Sequence, residues 1–446
     1  MDTPIVDFLK AYNESEMLRF HMPGHKGKFG LGMEAWDITE VSGADSLYEA
    51  SGIIHRSEAN AAALFGSQRT LYSTEGSSQC IRAMLHLIMS NRAPNTGKII
   101  LAARNTHKAF IYAAALLDFE ICWLYPEEYS SICACPITAN ALEARLAQMP
   151  VAPAAVYITS PDYLGNMADI RGLSDVCHRY GTLLAVDNAH GAYLHFLPEP
   201  MHPLDLGADI CCDSAHKTLP VLTGGAYLHI GKSLPSCFAE KAKSAMALFG
   251  STSPSYLIMA SLDACNAYIC DRYREKLAEF VGLLERTKNL LCSRGWQIEK
   301  SDPLRLTLKV QGRMNGRELY AHLREKGIEA EYADRDYVVF MLTEQNDAQE
   351  LELLSSALGV SESFETVLPE LTLPNSETVM SVREAIMAPS ETVKTEAALG
   401  RICASPMVSC PPAIPIVISG EKITETALEL LRHYQIEEIE VVKEPE

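Results

Sequence analysis

Two stretches decide the fold: TLLAVDNAHG at residues 182–191 and ADICCDSAHKTLPVLTGGAYLHI at residues 208–230. Each opens on an unbroken apolar run and ends abruptly on polar residues. A strand with one wet face alternates apolar and polar residues, whereas a strand covered on both faces does not. Further runs of the same kind lie upstream: TLYST at 70–74, KIILAA at 98–103, EICWLY at 120–125 and AAVYITS at 154–160. Helical patterns separate several of them. In SSQCIRAMLHLIMS, Ile81, Met84, Leu85 and Ile88 follow the i, i+3, i+4, i+7 stripe. The expected fold is therefore α/β: a mostly parallel seven-stranded sheet with helices on both faces.

Outside this block, residues 1–40 read as an amphipathic helix followed by an irregular arm, HMPGHKGKFGLG. HRSEANAAALFG at 55–66 reads as a helix stopped by Gly66, and 255–291 as a long helical stretch. LRLTLKV and DYVVFML are strand-like, and a polar stretch near 361–380 precedes a last segment with the helical TETALELLRHYQI. The expected division is 1–40 as helix and arm, 41–290 as a large ligand-binding domain and 291–446 as a smaller C-terminal α+β region.

The 446 residues are 48% hydrophobic, enough for a large core and roughly two to three domains. With 57 acidic against 38 basic residues the formal charge is -19, which disfavours nucleic acid as a partner. Thirteen cysteines, none spaced Cys-x-x-Cys, suit a reducing cytoplasm better than a disulfide scaffold or zinc ribbon. The N-terminus lacks the pattern of a signal peptide, and no stretch has the length of a membrane helix.

In open α/β sheets ligands bind beyond the carboxyl ends of the strands, and four groups of residues fall there. Gly76, Ser77 and Ser78 in STEGSSQCIRAM follow a strand and open a helix, an arrangement that binds anions through free N–H groups and hydroxyls. Serine is also an ordinary helix cap. Asp187 ends a buried run, where a carboxylate needs a partner; it could equally cap a helix or turn. Lys217, with Ser214 and His216, follows ADICCD, a place where a lysine can lose its proton and form a Schiff base. A surface lysine is the commoner case. His107, in RNTHKAF, could lie against a flat ring or simply begin a helix. In combination, an anion cup, a buried strand-end acid and a strand-end lysine are the parts of a pyridoxal 5'-phosphate (PLP) site. The acid would hold the ring nitrogen protonated and the lysine would carry the aldehyde.

These residues resemble the fold-type I PLP enzymes, and more narrowly the bacterial ornithine/lysine/arginine decarboxylase family. The resemblance rests on HMPGHKG (21–27), LFGSQRTLYSTEGSS (64–78), RNTHKA (104–109), TSPDYLG (159–165), DNAHGAYLHF (187–196), SAHKTLPVLTGGAYLHI (214–230), STSPSYLIMASLD (251–263) and CPPAIPIVISGE (410–421). It implies that Lys217 holds PLP, Asp187 pairs with its ring nitrogen and His107 stacks on the ring. Ser77, Ser78, Ser214 and His216 would hold phosphate, with Thr252 coming from a partner subunit. Ala189 would pack on the other ring face, and His190 would sit near the ring oxygen or the substrate carboxylate. His216 or Lys217 would return the proton after loss of CO₂.

The implied reaction is decarboxylation of a basic L-amino acid, arginine first, then lysine or ornithine, in a cytoplasmic homodimer with its active site at the interface. No membrane or metal is expected. Glu421 is the candidate for the substrate's distal cation. The sequence departs from the family pattern at Asn188 (usually Glu), Ala413 (Gly), Ser419 (Pro) and Ser51 (Pro). It also lacks the N-terminal wing of the long members, so it resembles the short form. Competing readings are another fold-type I reaction, such as transamination or elimination, and a non-catalytic protein of the same fold. A nicotinamide enzyme is disfavoured because no Gly-x-Gly-x-x-Gly opens a helix after a strand. Zinc on His21 and His25 lacks acidic or thiol partners at suitable spacing.

Overall fold

The computed structural model describes residues 1–361, 372–405 and 412–444. Parts of the polar stretch near 361–380 and of the CPPAIPIVISGE block lie outside the described residues. Seven strands form one sheet: β1 (Arg69–Ser73), β2 (Ile99–Ala103), β3 (Glu120–Leu124), β4 (Ala155–Thr159), β5 (Leu183–Asp187), β6 (Ile210–Asp213) and β7 (Ala226–Ile230), in the order β1-β7-β6-β5-β4-β2-β3. The strands of the two deciding stretches are buried almost throughout, as continuous apolar runs require. β7 departs from the parallel pattern, running antiparallel to both β6 and β1. Residues 214–225 alone link β6 to β7, and they contain no crossover helix long enough to bring the chain back for a parallel partner.

Packing divides the chain into two units. The first comprises Met1–Thr96 and Ile170–Lys276. It holds β1, β5, β6 and β7, with α1 (Pro4–Glu14), α2 (Ile53–Phe65) and α3 (Gly76–Asn91). Gly66 ends α2 at φ 64°, a left-handed cap that a residue with a Cβ adopts at a cost. The first turn of α1 is tied down from helix Tyr256–Tyr268: the Asp263 carboxylate accepts the Ile5 and Val6 N–H groups at 2.9 and 3.0 Å. This neutralises two of the orphan donors at the helix start. The long helical stretch is broken by a π-turn at Ile269–Tyr273, where Arg272 leaves helical geometry.

The second unit, Gly97–Asp169 and Leu277–Glu446, holds β2, β3 and β4 with α4 (Lys108–Leu117). It also holds two antiparallel sheets. One runs β10 (Tyr332–Ala333), β11 (Tyr337–Met341), β9 (Arg305–Lys309), β8 (Gln297–Ile298). The other runs β12 (Ser390–Lys394), β14 (Glu438–Val442), β13 (Cys403–Ser405). Cys133, Tyr337, Val417, Leu431 and Val441 belong to one shared apolar cluster of this unit. Among the described residues no helix is long and apolar enough to cross a membrane.

One residue, Ala413, where the resemblance leads one to expect glycine, has a direct structural cost. Ala413 adopts φ 59°, in the left-handed region, while its carbonyl accepts the Lys108 N–H at 2.9 Å. A Cβ is disfavoured there by about 1 kcal/mol, and glycine is not. Ala413→Gly is therefore expected to stabilise the protein by up to about 1 kcal/mol, the gain being trimmed by the extra entropy glycine gives the unfolded chain. Thermal unfolding of the purified variant checks this; a lower midpoint would contradict it.

Candidate active site

β5 and β6 are parallel, and β7 is antiparallel to both β6 and β1, so β1, β5 and β6 all point the same way. Their carboxyl ends carry Asp187 (β5), Ser214 and Lys217 (just after β6), and Gly76, Ser77 and Ser78 (just after β1), all in the first unit.

The start of α3 is not an ordinary serine cap. Its N-cap position is Glu75, and no side chain caps the helix. Ser77 and Ser78 lie inside the first turn, half-buried. Gly76 enters at φ 71° and donates its N–H to the Gly224 carbonyl at 2.7 Å. A Cβ on Gly224 would stand 2.7 Å from the Thr74 carbonyl oxygen, so glycine is needed for this close approach. The buried Ser214 hydroxyl donates to Ser77 Oγ at 2.9 Å, bringing the two serine-bearing turns together. An uncapped helix start beside two hydroxyls, with its dipole pointing outward, is an anion site.

Lys217 lies on the short helix Ala215–Thr218. Its Nζ is 2.8 Å from His190 Nε2, within the range for proton transfer between amine and imidazole. The neighbouring His216 is anchored twice to the Gly225 carbonyl, by its N–H at 3.1 Å and its Nδ1 at 3.0 Å. With Nδ1 donating, its Nε2 is left as the acceptor nitrogen. Asp187 is 2% exposed. Its Oδ1 accepts the Ala189 N–H at 3.2 Å and faces Cys212 Sγ at 3.8 Å. Burial pushes the Cys212 thiol well up, so it stays neutral.

Thr252 is exposed, in the bend before helix Tyr256–Tyr268. The preceding Ser251 N–H donates to the Glu75 carboxylate. His107 belongs to the second unit, where it N-caps α4 with Nδ1 accepting the Ala109 N–H at 3.1 Å. His21 contacts the Tyr12 hydroxyl at 2.7 Å, and His25 contacts Asp37 at 3.1 Å.

One expectation fails. Glu421 is not available to a substrate cation: it is 3% exposed and paired with the buried Arg104 guanidinium at 3.3 Å. It also accepts the Ile418 N–H at 2.8 Å, while Arg104 spans the Pro415 and Ile416 carbonyls. Burial pushes the Glu421 carboxyl up, against the pull of Arg104. A single charge left behind in such a place is costly, so the pair holds the C-terminal block to the end of β2.

Three features were not read from the sequence. One is the Lys217–His190 contact. Another is the buried Asp162, in TSPDYLG, whose carboxyl burial pushes to about 7 although Leu164 and Asn166 donate to it. A strand-end acid after Ser-Pro was the available signal. The third is a cluster around Asp213.

Residues 3–311 match the Orn/Lys/Arg decarboxylase major domain, and residues 360–440 match the C-terminal domain of the same family. The chain belongs to the Orn/Lys/Arg decarboxylase family. Among its relatives, the uncharacterized protein YaaO of Bacillus subtilis (strain 168) is 31% identical over 97% of this chain and 94% of its own length. The arginine decarboxylase of the same organism is 30% identical over 95% and 92%. The crystal structure of the Francisella novicida lysine decarboxylase LdcF superposes with a TM-score of 0.76 at 18% identity, over 99% of this chain and 81% of that one. That likeness bears on the fold, which is that of the fold-type I decarboxylases. As a family member, this decarboxylase acts on a basic amino acid.

Proposed function

We propose that the protein decarboxylates L-arginine in preference to lysine and ornithine, using PLP bound covalently to Lys217, as a homodimer. The observation that carries the reading is the first unit's constellation. A half-buried lysine amine lies against an imidazole, and a buried carboxylate and an uncapped, hydroxyl-lined helix start sit at the same end of the sheet. These residues fit the group: the helix start and Ser77, Ser78, Ser214 and His216 suit a phosphate, Asp187 suits a cationic ring nitrogen, and Lys217 suits an aldehyde. PLP, when bound, supplies an electron-accepting ring for the pair left at Cα when CO₂ departs.

The chain's own residues do the rest. His190 takes the proton that Lys217 must shed to act as a nucleophile, across 2.8 Å. Asp187 would hold a proton on the ring nitrogen. Ala189, itself buried, would pack against one face of the ring. The Lys217 amine would return a proton to Cα; His216 would do so only once its Nε2 has gained a proton, because its Nδ1–H is held on Gly225.

The dimer is supported by an apolar strip along the arm. Leu18, Phe20, Met22, Phe29 and Leu31 are all between 68% and 91% exposed. Exposed apolar residues of this kind mark a contact surface, which a second copy would cover.

The test is turnover. Purified protein supplied with PLP is expected to release CO₂ and agmatine from arginine, with kcat/KM at least about tenfold above that for lysine or ornithine, the discrimination a side-chain pocket provides. Formation of a 2-oxo acid without CO₂, or no release from any of the three, would overturn the assignment.

A further inference from the structure

Next to Asp187 and Lys217 lies a buried polar cluster that the proposed reaction leaves unused. Asp213, the last residue of β6, has both carboxylate oxygens engaged. Oδ1 accepts the Asn188 Nδ2 amide at 2.7 Å, and Oδ2 accepts from His202 Nε2 and His229 Nε2, each at 3.1 Å. All four side chains are 0% exposed. Tautomers follow from the outer bonds. His202 Nδ1 accepts the Leu204 N–H at 3.4 Å, so its Nε2 carries the proton. His229 Nδ1 faces the Thr70 hydroxyl at 2.8 Å, and burial pushes this imidazole toward its neutral form. Asp213 thus receives three N–H donors. Burial alone would raise its pKa, but His202 and His229 outweigh burial and hold it well below the usual carboxylate range. Among the titratable neighbours, Cys80 from α3, Cys211 and Cys212 from β6 and Tyr227 from β7 are pushed up by burial and stay neutral, and His195 faces His229.

The cluster joins the two strand ends that matter. Asn188 follows Asp187, and its N–H bonds the Cys212 carbonyl at 3.0 Å. Asp213 precedes Ser214, whose hydroxyl reaches Ser77. The inward turn of the Asn188 side chain depends on Gly191, because a Cβ there would stand 2.1 Å from Asn188 Oδ1.

We infer that Asn188, Asp213, His202 and His229 form a positioning network that fixes the Asp187 carboxylate relative to the Ser214–Lys217 turn, with Asn188 as its uncharged donor. An acid at 188 could donate to the ionised Asp213 only while protonated, so it would make the geometry behind the cofactor depend on pH; the amide, a donor at every pH, removes that dependence. The inference rests on the reading of Lys217 and Asp187 as cofactor residues.

The test compares cofactor dissociation constants of full-length wild type, Asn188→Asp and Asn188→Ala from bound-PLP absorbance between pH 6 and 9. Thermal unfolding of each apoprotein serves as a folding control. For Asn188→Asp the ratio to wild type is expected to lie within about threefold at pH 6 and to exceed about tenfold by pH 8.5, as the new acid ionises against Asp213. For Asn188→Ala it is raised at every pH. A pH-independent ratio for Asn188→Asp overturns the inference. Should that variant not fold, His202→Gln, which keeps a donor, against His202→Leu decides it: equal dissociation constants for the two overturn the network. One zinc per chain in protein purified without chelator also overturns it, since His202, Cys211 and Asp213 are close enough to share an ion. Failure of the underlying reading is distinct, because wild-type protein would then show no borohydride-fixed PLP on Lys217.

Discussion

Lys217→Ala is expected to abolish covalent cofactor attachment and to lower CO₂ release by at least about 10³-fold, the scale on which loss of a positioned catalytic group acts. The side chain is only half-buried, and its amine meets His190 Nε2 at 2.8 Å, so truncation should cost little stability. What is lost is chemical. A free lysine is protonated near neutral pH and is a poor nucleophile; a neighbouring imidazole gives the departing proton a destination. Alanine leaves the phosphate turn around Ser77 and Ser214 and the Asp187 carboxylate in place. PLP should therefore still bind, but exchange freely on dialysis and escape borohydride fixation. Added ethylamine should restore part of the turnover by supplying the missing amine from solution. Near wild-type turnover in the variant would remove the basis of the functional reading, whereas loss of cofactor binding together with loss of folding would indicate a structural role.

Much of this arrangement is written in short-range sequence. Most of the seven strands are legible as near-continuous apolar runs, and β5, β6 and β7 are buried almost throughout as that pattern requires, whereas β3, at the sheet edge, is only partly buried. Ser77, Asp187 and Lys217 stand out for the same reason: each is a polar group set where the buried run ends. Long-range pairing was not legible. Nothing local announces that Glu421 meets Arg104, 317 positions away, so an acid in a motif looked free when its charge was already matched. The Lys217–His190 and Asn188–Asp213 contacts join residues 27 and 25 apart, across adjacent strand ends. They require the strand order, which hydropathy does not carry. The direction of β7 depends on the length of its connection rather than its composition. The π-turn at Ile269–Tyr273 interrupts a stretch whose periodicity reads as one helix.

Asp187→Asn is expected to reduce kcat by about 10² to 10³-fold, the effect of removing one preorganised electrostatic contact from a dry site. Asparagine preserves the size of the side chain and the acceptor for the Ala189 N–H, so the end of β5 should keep its shape. The charge goes. A carboxylate at 2% exposure, walled by the neutral Cys212 thiol, exerts its field with little screening. Such a field favours a proton on a pyridine-type nitrogen; an amide offers no comparable stabilisation. The expected signature is therefore electronic rather than structural. Thermal unfolding of the apoprotein should change little, cofactor affinity should fall, and the absorbance of the bound cofactor should respond to pH where that of the wild type does not. Supplying a PLP analogue methylated on the ring nitrogen, permanently cationic, should recover a large part of the lost kcat in Asp187→Asn. It should give no benefit to wild type, where the methyl group displaces the proton that Asp187 holds. If the analogue restores nothing, the carboxylate at 187 serves the strand end rather than the ring, and the electron-withdrawing role must be sought in another residue.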